Sequence, residues 1–403
     1  MAIALVFNPG SNSLKFELVE LDSEQGFAGE ANKLASAVLD GIGKDTKLLV
    51  MKDGKTVSSE KADAADMTAG THAAVEWLRK SAETSDVLQR LSFAGVRVVH
   101  GGPDFAAAAR ATPEVRQKIE ALEDLAPLHN QGSLNVLDVV AKEMPDVPAF
   151  VTFDTAFHRS LPEKAWRYPI ERETADRHGV RKYGFHGVSH RYMLELYART
   201  VGKRSEECTV VALHLESGAS ACAIQRGRSV DTTMGLTPLE GLMMGSRSGS
   251  VDPAIVPYLM RKENKTADDI LRLLNKRSGL LGVAGGTLDT RELVKRDDDA
   301  AKLALSMFSY RVRLAVGAYL AALGDAEAVL FGGGIGEDSP WLREDVCAGL
   351  TGWGLQLDPE ANKSAEGMVR ISAEQSRLHA WAVPTDEGLQ MAHECLQAMS
   401  AER

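Results

Sequence analysis

The sequence predicts an α/β protein made of two similar halves. Apolar strand-like runs alternate with stretches of helical spacing, the pattern of mixed sheets covered by helices. A strand, a small-residue turn and a second strand occur twice, as VFNPGSNSLKF and as ALHLESGASACAI, about 206 residues apart. The glycine-rich turns follow strand-like runs, where α/β sheets place their ligands.

The elements follow in order. Leu5–Phe7 is an apolar run that ends in a cluster of turn formers from Asn8 to Ser13, and Leu14, Phe16 and Leu18 then alternate with polar residues, as in a hairpin. Residues 20–60 read as polar and irregular, with turns at Gly41, Gly43 and Gly54. Residues 68–90 carry helical spacing, and Phe93–Val99 is a buried strand that stops at His100-Gly101-Gly102-Pro103. Thr112-Pro113 opens a helix as N-cap and first residue. Another helix is expected from about Ser133, a strand over Pro148–Phe153, and a helix over Arg191–Arg199. Strands are expected at Thr209–Leu215 and Ala221–Arg226, then helices at Ala254–Arg261 and Ala267–Leu274 and a glycine-rich turn at Gly279–Thr287. A long helix over Ala300–Leu323, a strand over Ala328–Phe331 and a closing helix to Met399 complete the chain.

Composition excludes several classes. The chain is 44% hydrophobic and 25% charged, with no apolar run near the ~18 residues a bilayer span needs. The N-terminal MAIALVFNPG has no basic n-region, so it reads as a first strand and not as a signal peptide. A net charge of −10 with no basic run argues against nucleic acid. The four cysteines lack CxxC spacing and read as free buried thiols of a cytosolic protein.

Several stretches carry chemistry. Thr232–Pro253 packs four glycines around the single cation Arg247, which points to backbone turns folded around a small anion. The Asn8–Lys15 turn either cradles phosphate or is an ordinary hairpin; it lacks the spacing of a P-loop. Arg97, inside an apolar strand, needs an anionic partner, either a structural carboxylate or a substrate. Asp154 at a strand end is a catalytic or metal-linked carboxylate, or a helix cap. His186, between glycines, is a ligand-facing or a structural histidine. Gly332–Glu337 is a nucleotide-contacting turn or a plain tight turn, and its spacing is not GxGxxG. Asp386-Glu387 can hold Mg²⁺ through carboxylate oxygens, or open a helix with favourable charge.

In order along the chain, NPGSNSLKF, RVVHGG, APLHN, FDTAFH, YGFHGVSH, MGLTPLEGLMMGSRSGSVDP, LNKRSGLLG, GGGIGED and PTDE resemble the acetate kinase (acetokinase) family. That family belongs to the acetate and sugar kinase/Hsp70/actin superfamily, and the segments reach from Asn8 to Glu387. The resemblance implies duplicated actin-like (ribonuclease H-like) βββαβαβα domains with an active-site cleft between them. One would be 1–154, completed by the closing helix 387–403; the other, 155–386, would bind the nucleotide. The reaction implied is reversible transfer of the ATP γ-phosphoryl group to acetate, giving acetyl phosphate and ADP, in a cytoplasmic homodimer with Mg²⁺ or Mn²⁺. Asn8 and Glu387 would position the metal, and Lys15 would lie near the nucleotide phosphates. Arg97 and Arg247 would hold the carboxylate and the moving phosphoryl group, His186 would stabilise the transition state, and Asp154 is the family's catalytic carboxylate. His129 and His214 would support them. Val99, Leu128, Phe185 and Pro238 match the pocket for the acid's methyl group. His214, Glu216, Ser217, Gly218, Asp289, Arg291 and Gly334, Ile335, Gly336, Glu337 and Asp338 would receive the nucleotide.

Phosphoryl transfer needs positioning and charge neutralisation more than covalent chemistry. Two arginines and a histidine around a metaphosphate-like group would each contribute on the order of 2–4 kcal/mol. A short carboxylic acid has a pKa of about 4–5 and is ionised at neutral pH, so its attack needs no strong base. Asp154 is therefore expected first as an orienting or metal-linked group. Alternatives remain: the same chemistry on propionate or butyrate, pyrophosphate as donor, or an inactive nucleotide-binding paralogue. The departures from the family's pattern are Gly286-Thr287-Leu288, Gly332-Gly333 and, above all, Glu216-Ser217-Gly218, where the family usually has Gly-Asn-Gly. A carboxylate there repels phosphate, unless Glu216 turns away or meets a metal, and Ser217 lacks the amide donor. A Glu216→Gly/Ser217→Asn double variant is expected to lower the KM for ATP; an unchanged KM would remove the turn from nucleotide binding.

Overall fold

The structure, a computed structural model, describes residues 1–22, 27, 31–52, 54–81, 84–122 and 127–402, the side chains of 127–129 excepted. The chain forms two compact units. Met1–Arg159 with Asp386–Arg403 is the first, and Ser160–Thr385 the second.

The first unit holds β1 (Ala2–Pro9), β2 (Ser13–Leu21), β3 (Ala31–Asp40), β4 (Lys47–Lys52), β5 (Lys55–Lys61), β6 (Phe93–Val98), β7 (Ala109–Arg110) and β8 (Ala149–Phe153). Their order in the sheet is β5-β4-β3-β2-β1-β6-β8-β7. The β1–β5 run is antiparallel, while β6 and β8 join β1 in parallel. The interior positions of β1 and β6 are buried on both faces, which explains their near-continuous apolar runs. Helices Met67–Lys80, Pro127–Glu143 and Glu387–Ala401 pack on this sheet. Phe7, Phe16 and Trp77 join the core that one of its faces shares with the first two helices.

The second unit repeats the plan. It holds β9 (Val210–Leu215), β10 (Ala219–Gln225), β11 (Arg228–Thr232), β12 (Ala328–Gly332), β13 (Val369–Arg370) and β14 (His379–Ala382), in the order β11-β10-β9-β12-β14-β13. Again three antiparallel strands come first, and two parallel strands, β12 and β14, are added beside the first of them. The 25-residue helix Asp299–Leu323 precedes β12, with Asp298 capping its first turn through Ala301 N.

Three expectations need correction. Residues 20–60 are not irregular, because β3, β4 and β5 lie there. Every residue of β5 is exposed, so this edge strand shows no apolar alternation to read. The helix expected from Ser133 begins at Pro127, since proline suits a first turn. Within the expected Gly279–Thr287 turn, Gly279–Ala284 is helical; only Gly279, Gly285 and Gly286 take the positive φ that marks a turn.

All four cysteines are buried free thiols. Burial pushes Cys208 up to about 11 and Cys222 and Cys347 up to about 12, and raises Cys395 well above its usual value. The native protein should therefore resist a thiol reagent at neutral pH and yield four reactive thiols on unfolding. Rapid labelling of any thiol in the native state would contradict this.

Candidate active site

In the first unit, strand register sets a row of polar groups. β1 and β6 pair Phe7 with Val96, so Asn8 comes beside Arg97, and β6 and β8 pair Val98 with Phe153, so Asp154 follows at the next strand end. Arg97 Nε donates to Asp154 Oδ1 at 2.7 Å and Nη2 donates to Oδ2, a two-pronged pair. Arg97 Nη1 donates to Asn8 Oδ1 at 2.8 Å, and Asn8 Nδ2 donates to Glu387 Oε2 at 2.7 Å. The side chains of Arg97 and Asp154 are 14% and 2% exposed. Val99 is buried just beyond β6. Leu128 and His129 lie in the first turn of their helix, and their side chains fall outside the described residues. Lys15 sits opposite Asn8 on β2, with Nζ 3.3 Å from Glu17 Oε1.

Asn8 and Glu387 offer an amide and a carboxylate oxygen, the hard donors Mg²⁺ takes. No group of three or more His, Cys, Asp or Glu suited to a metal occurs among the described residues. An Mg²⁺ ion held by one or two protein oxygens and completed by phosphates and water would ask no more of the chain than these two donors.

In the second unit, His186 precedes the helix Gly187–Thr200 at φ 58°, a left-handed conformation that histidine tolerates better than most residues. Its Nδ1 is 2.9 Å from Ser220 Oγ, which is also 2.8 Å from His190 Nε2. His214 Nδ1 is 2.7 Å from Ser189 Oγ, and the His186 and His214 rings are 4.2 Å apart. Gly218 closes the group: a Cβ there would stand 3.3 Å from His186 Nε2 and 3.6 Å from Arg247 Nη2. Arg247 Nη1 donates to Pro238 O at 3.0 Å and meets Met244 Sδ at 3.4 Å. Its guanidinium has no carboxylate partner among the described residues, and burial lowers its pKa. Phe185 is buried beside His186 in sequence.

Nearby in the same unit is a cavity of about 290 Å³. Glu216, Ser217, Asp289, Arg291, Gly334, Ile335 and Asp338 line it together with Leu288, Thr290 and Ser339. Arg291 Nη2 donates to Asp289 Oδ2 at 2.7 Å, and this contact holds the Asp289 carboxyl below its ordinary value. Glu216 is not turned away: it lines the cavity, 56% exposed, with Oε2 3.9 Å from His214 Nε2. The Gly334–Asp338 stretch is the body of a short helical turn, Gly333–Asp338. Gly336 packs against Phe331, and Glu337, outside the cavity lining, accepts from Thr385 N at 3.0 Å and Thr385 Oγ1 at 2.9 Å. Burial raises its carboxyl, against those hydrogen bonds.

Residues 3–393 match the acetokinase family. The chain belongs to the acetokinase family. Acetokinase membership makes it a kinase, a phosphotransferase. A relative named acetate kinase, from Clavibacter michiganensis subsp. michiganensis, is 42% identical over 401 residues, covering 99% of each chain. The solved acetate kinase of Porphyromonas gingivalis superposes with a TM-score of 0.90 at 34% identity, over 99% of this chain and 100% of that one. A solved propionate kinase from Francisella tularensis gives 0.88 at 32% identity, over 98% and 99%.

Sequence reasoning missed Ser220, the hydroxyl shared by two histidines, and Glu17 beside Lys15. Ser220 stands two residues past the Gly218 turn, and its partners come from His186 and the helix that follows it, about thirty residues earlier in the chain. Buried pairs that lose one partner cost roughly 3–5 kcal/mol. Arg97→Ala should lower stability to denaturant by that order, and Arg97→Ala/Asp154→Ala by less than the two single losses summed. Strict additivity would show that the pair is not coupled.

Proposed function

We propose that the chain is a Mg²⁺-dependent acetate kinase, transferring the γ-phosphoryl group of ATP to acetate by direct in-line displacement. An acetate oxygen forms the new bond to phosphorus as the bond to the β–γ bridging oxygen breaks, giving acetyl phosphate and ADP. The observation that carries the reading is Arg247. It is a half-buried cation without a carboxylate partner among the described residues, held by a carbonyl and a thioether and set beside His186 at Gly218. A guanidinium so placed keeps its charge for an incoming anion.

The remaining roles rest on the residues' chemistry. Arg97, oriented by both oxygens of Asp154, takes the acid's carboxylate or the phosphoryl group, and Asp154 acts by orienting it. No base is required of Asp154, because acetate is already ionised at neutral pH. His186, steadied by Ser220, donates to the phosphoryl oxygens as charge shifts. Val99 and Leu128 of the first unit and Phe185 and Pro238 of the second are the apolar residues assigned to the acid's methyl group. The Glu216–Asp338 cavity takes the nucleoside, and Lys15 the phosphates. Asn8 and Glu387 hold Mg²⁺, which when bound neutralises phosphate charge. A cytoplasmic homodimer completes the proposal. Leu303, Tyr310 and Leu314, exposed on the long helix Asp299–Leu323, supply apolar surface that a second copy would cover.

Hydroxamate trapping of acyl phosphate tests the reaction with acetate, propionate and butyrate, each with ATP or pyrophosphate. Most product is expected from acetate with ATP, although one methylene discriminates by only ~1–3 kcal/mol. No product in any combination would overturn the reading. Arg247→Ala should lower kcat by roughly two to three orders of magnitude, and near-normal turnover would remove it from the site.

A further inference from the structure

We propose that Glu17 is a positioning residue for Lys15, holding its ammonium where it meets the nucleotide phosphates. This rests on the reading of Lys15 given above. Glu17 lies two residues after Lys15 on β2, so both side chains share one face of the strand. Its carboxylate is only 2% exposed, whereas the Lys15 side chain is 37% exposed. Glu17 Oε1 accepts from Lys33 Nζ at 2.8 Å and Ser36 Oγ at 2.9 Å, and is 3.3 Å from Lys15 Nζ. Lys33 also reaches Asp386 Oδ2 at 2.9 Å.

Lys33 and Ser36 already satisfy Oε1, yet Oε2 is buried with no hydrogen-bond partner among the described residues. Gly388, at the start of the helix Glu387–Ala401, lies against that oxygen, and a Cβ there would overlap it. A carboxylate kept at this desolvation cost is a poor choice for stability alone. Its effect is on where the Lys15 charge sits. Burial pulls the Lys15 pKa down, but Glu17, then Asp386 and Glu387, more than offset it. Glu17, 3.3 Å from Lys15 Nζ, exerts the largest of these attractions, so it fixes the ammonium against the pull of the other two. Without it, Lys15 turns towards Asp386 and Glu387 and away from a phosphate.

The test is a double-mutant cycle on the full-length chain, read as KM against kcat. Glu17→Gln should raise the KM for ATP about tenfold, with kcat within about twofold and the KM for acetate unchanged. Glu17→Asp, which keeps the charge, should recover most of the loss. In a Lys15→Met background, Glu17→Gln should add nothing. An equal effect in both backgrounds would show that Glu17 acts on the fold alone and overturn the inference. An unchanged KM for ATP in Lys15→Met itself would overturn both this inference and the placement of Lys15, while leaving the reaction, judged by acyl phosphate formation in the unsubstituted chain, intact. If Glu17→Gln does not fold, Ser36→Ala removes one hydrogen bond to Oε1 without changing charge. A rise in the KM for ATP that depends on Lys15 then supports the inference, and an unchanged KM overturns it.

Discussion

The first unit depends on the ion pair between Arg97 and Asp154. A buried pair of this kind adds little net stability, because desolvating both charges offsets their attraction. What it adds is position. The guanidinium cannot turn while both prongs meet one carboxylate, and its remaining nitrogen carries the constraint to Asn8 and from there to Glu387. Four residues drawn from β1, β6, the end of β8 and the last helix therefore form one connected row. The parallel register of the strands brings the first three together, and the return of the chain at Asp386 supplies the fourth.

The second unit places its arginine by the opposite means. Arg247 has backbone and sulfur neighbours in place of a counter-ion, so its charge is directed by shape and left unneutralised. Gly218 permits this, since any side chain would crowd His186 and approach Arg247. Gly279 plays a similar part behind the loop: at φ 61° it presses against the backbone of Met244 and Arg247, where a Cβ has no room. The glycine density of Thr232–Pro253 reflects this close backbone packing as much as any ligand.

Much of this was legible in the sequence. The two strand–turn–strand repeats gave the duplicated plan because buried strands and glycine turns leave local signatures. Arg97 stood out as a charge within an apolar strand, which only a partner can explain, although the sequence could not choose Asp154 over a substrate. What escaped was non-local or unpatterned. The exposed β5 has no apolar period. The partners of Ser220 come from the His186–Thr200 region, about thirty residues away in sequence. Glu17 looked like an ordinary outward residue of an alternating strand, because β3 and the final helix, which bury it, are remote from it in the chain.

The left-handed backbone at His186 limits which residues can stand there at all. Alanine at φ 58° carries backbone strain on the order of 1 kcal/mol, which asparagine and glycine largely avoid. Removing the imidazole with alanine therefore disturbs two things at once, the ring and the turn that starts the Gly187–Thr200 helix. Glycine, which accepts this backbone and carries no donor, is the reference that isolates the ring, whereas an alanine scan would credit the imidazole with an effect of the main chain.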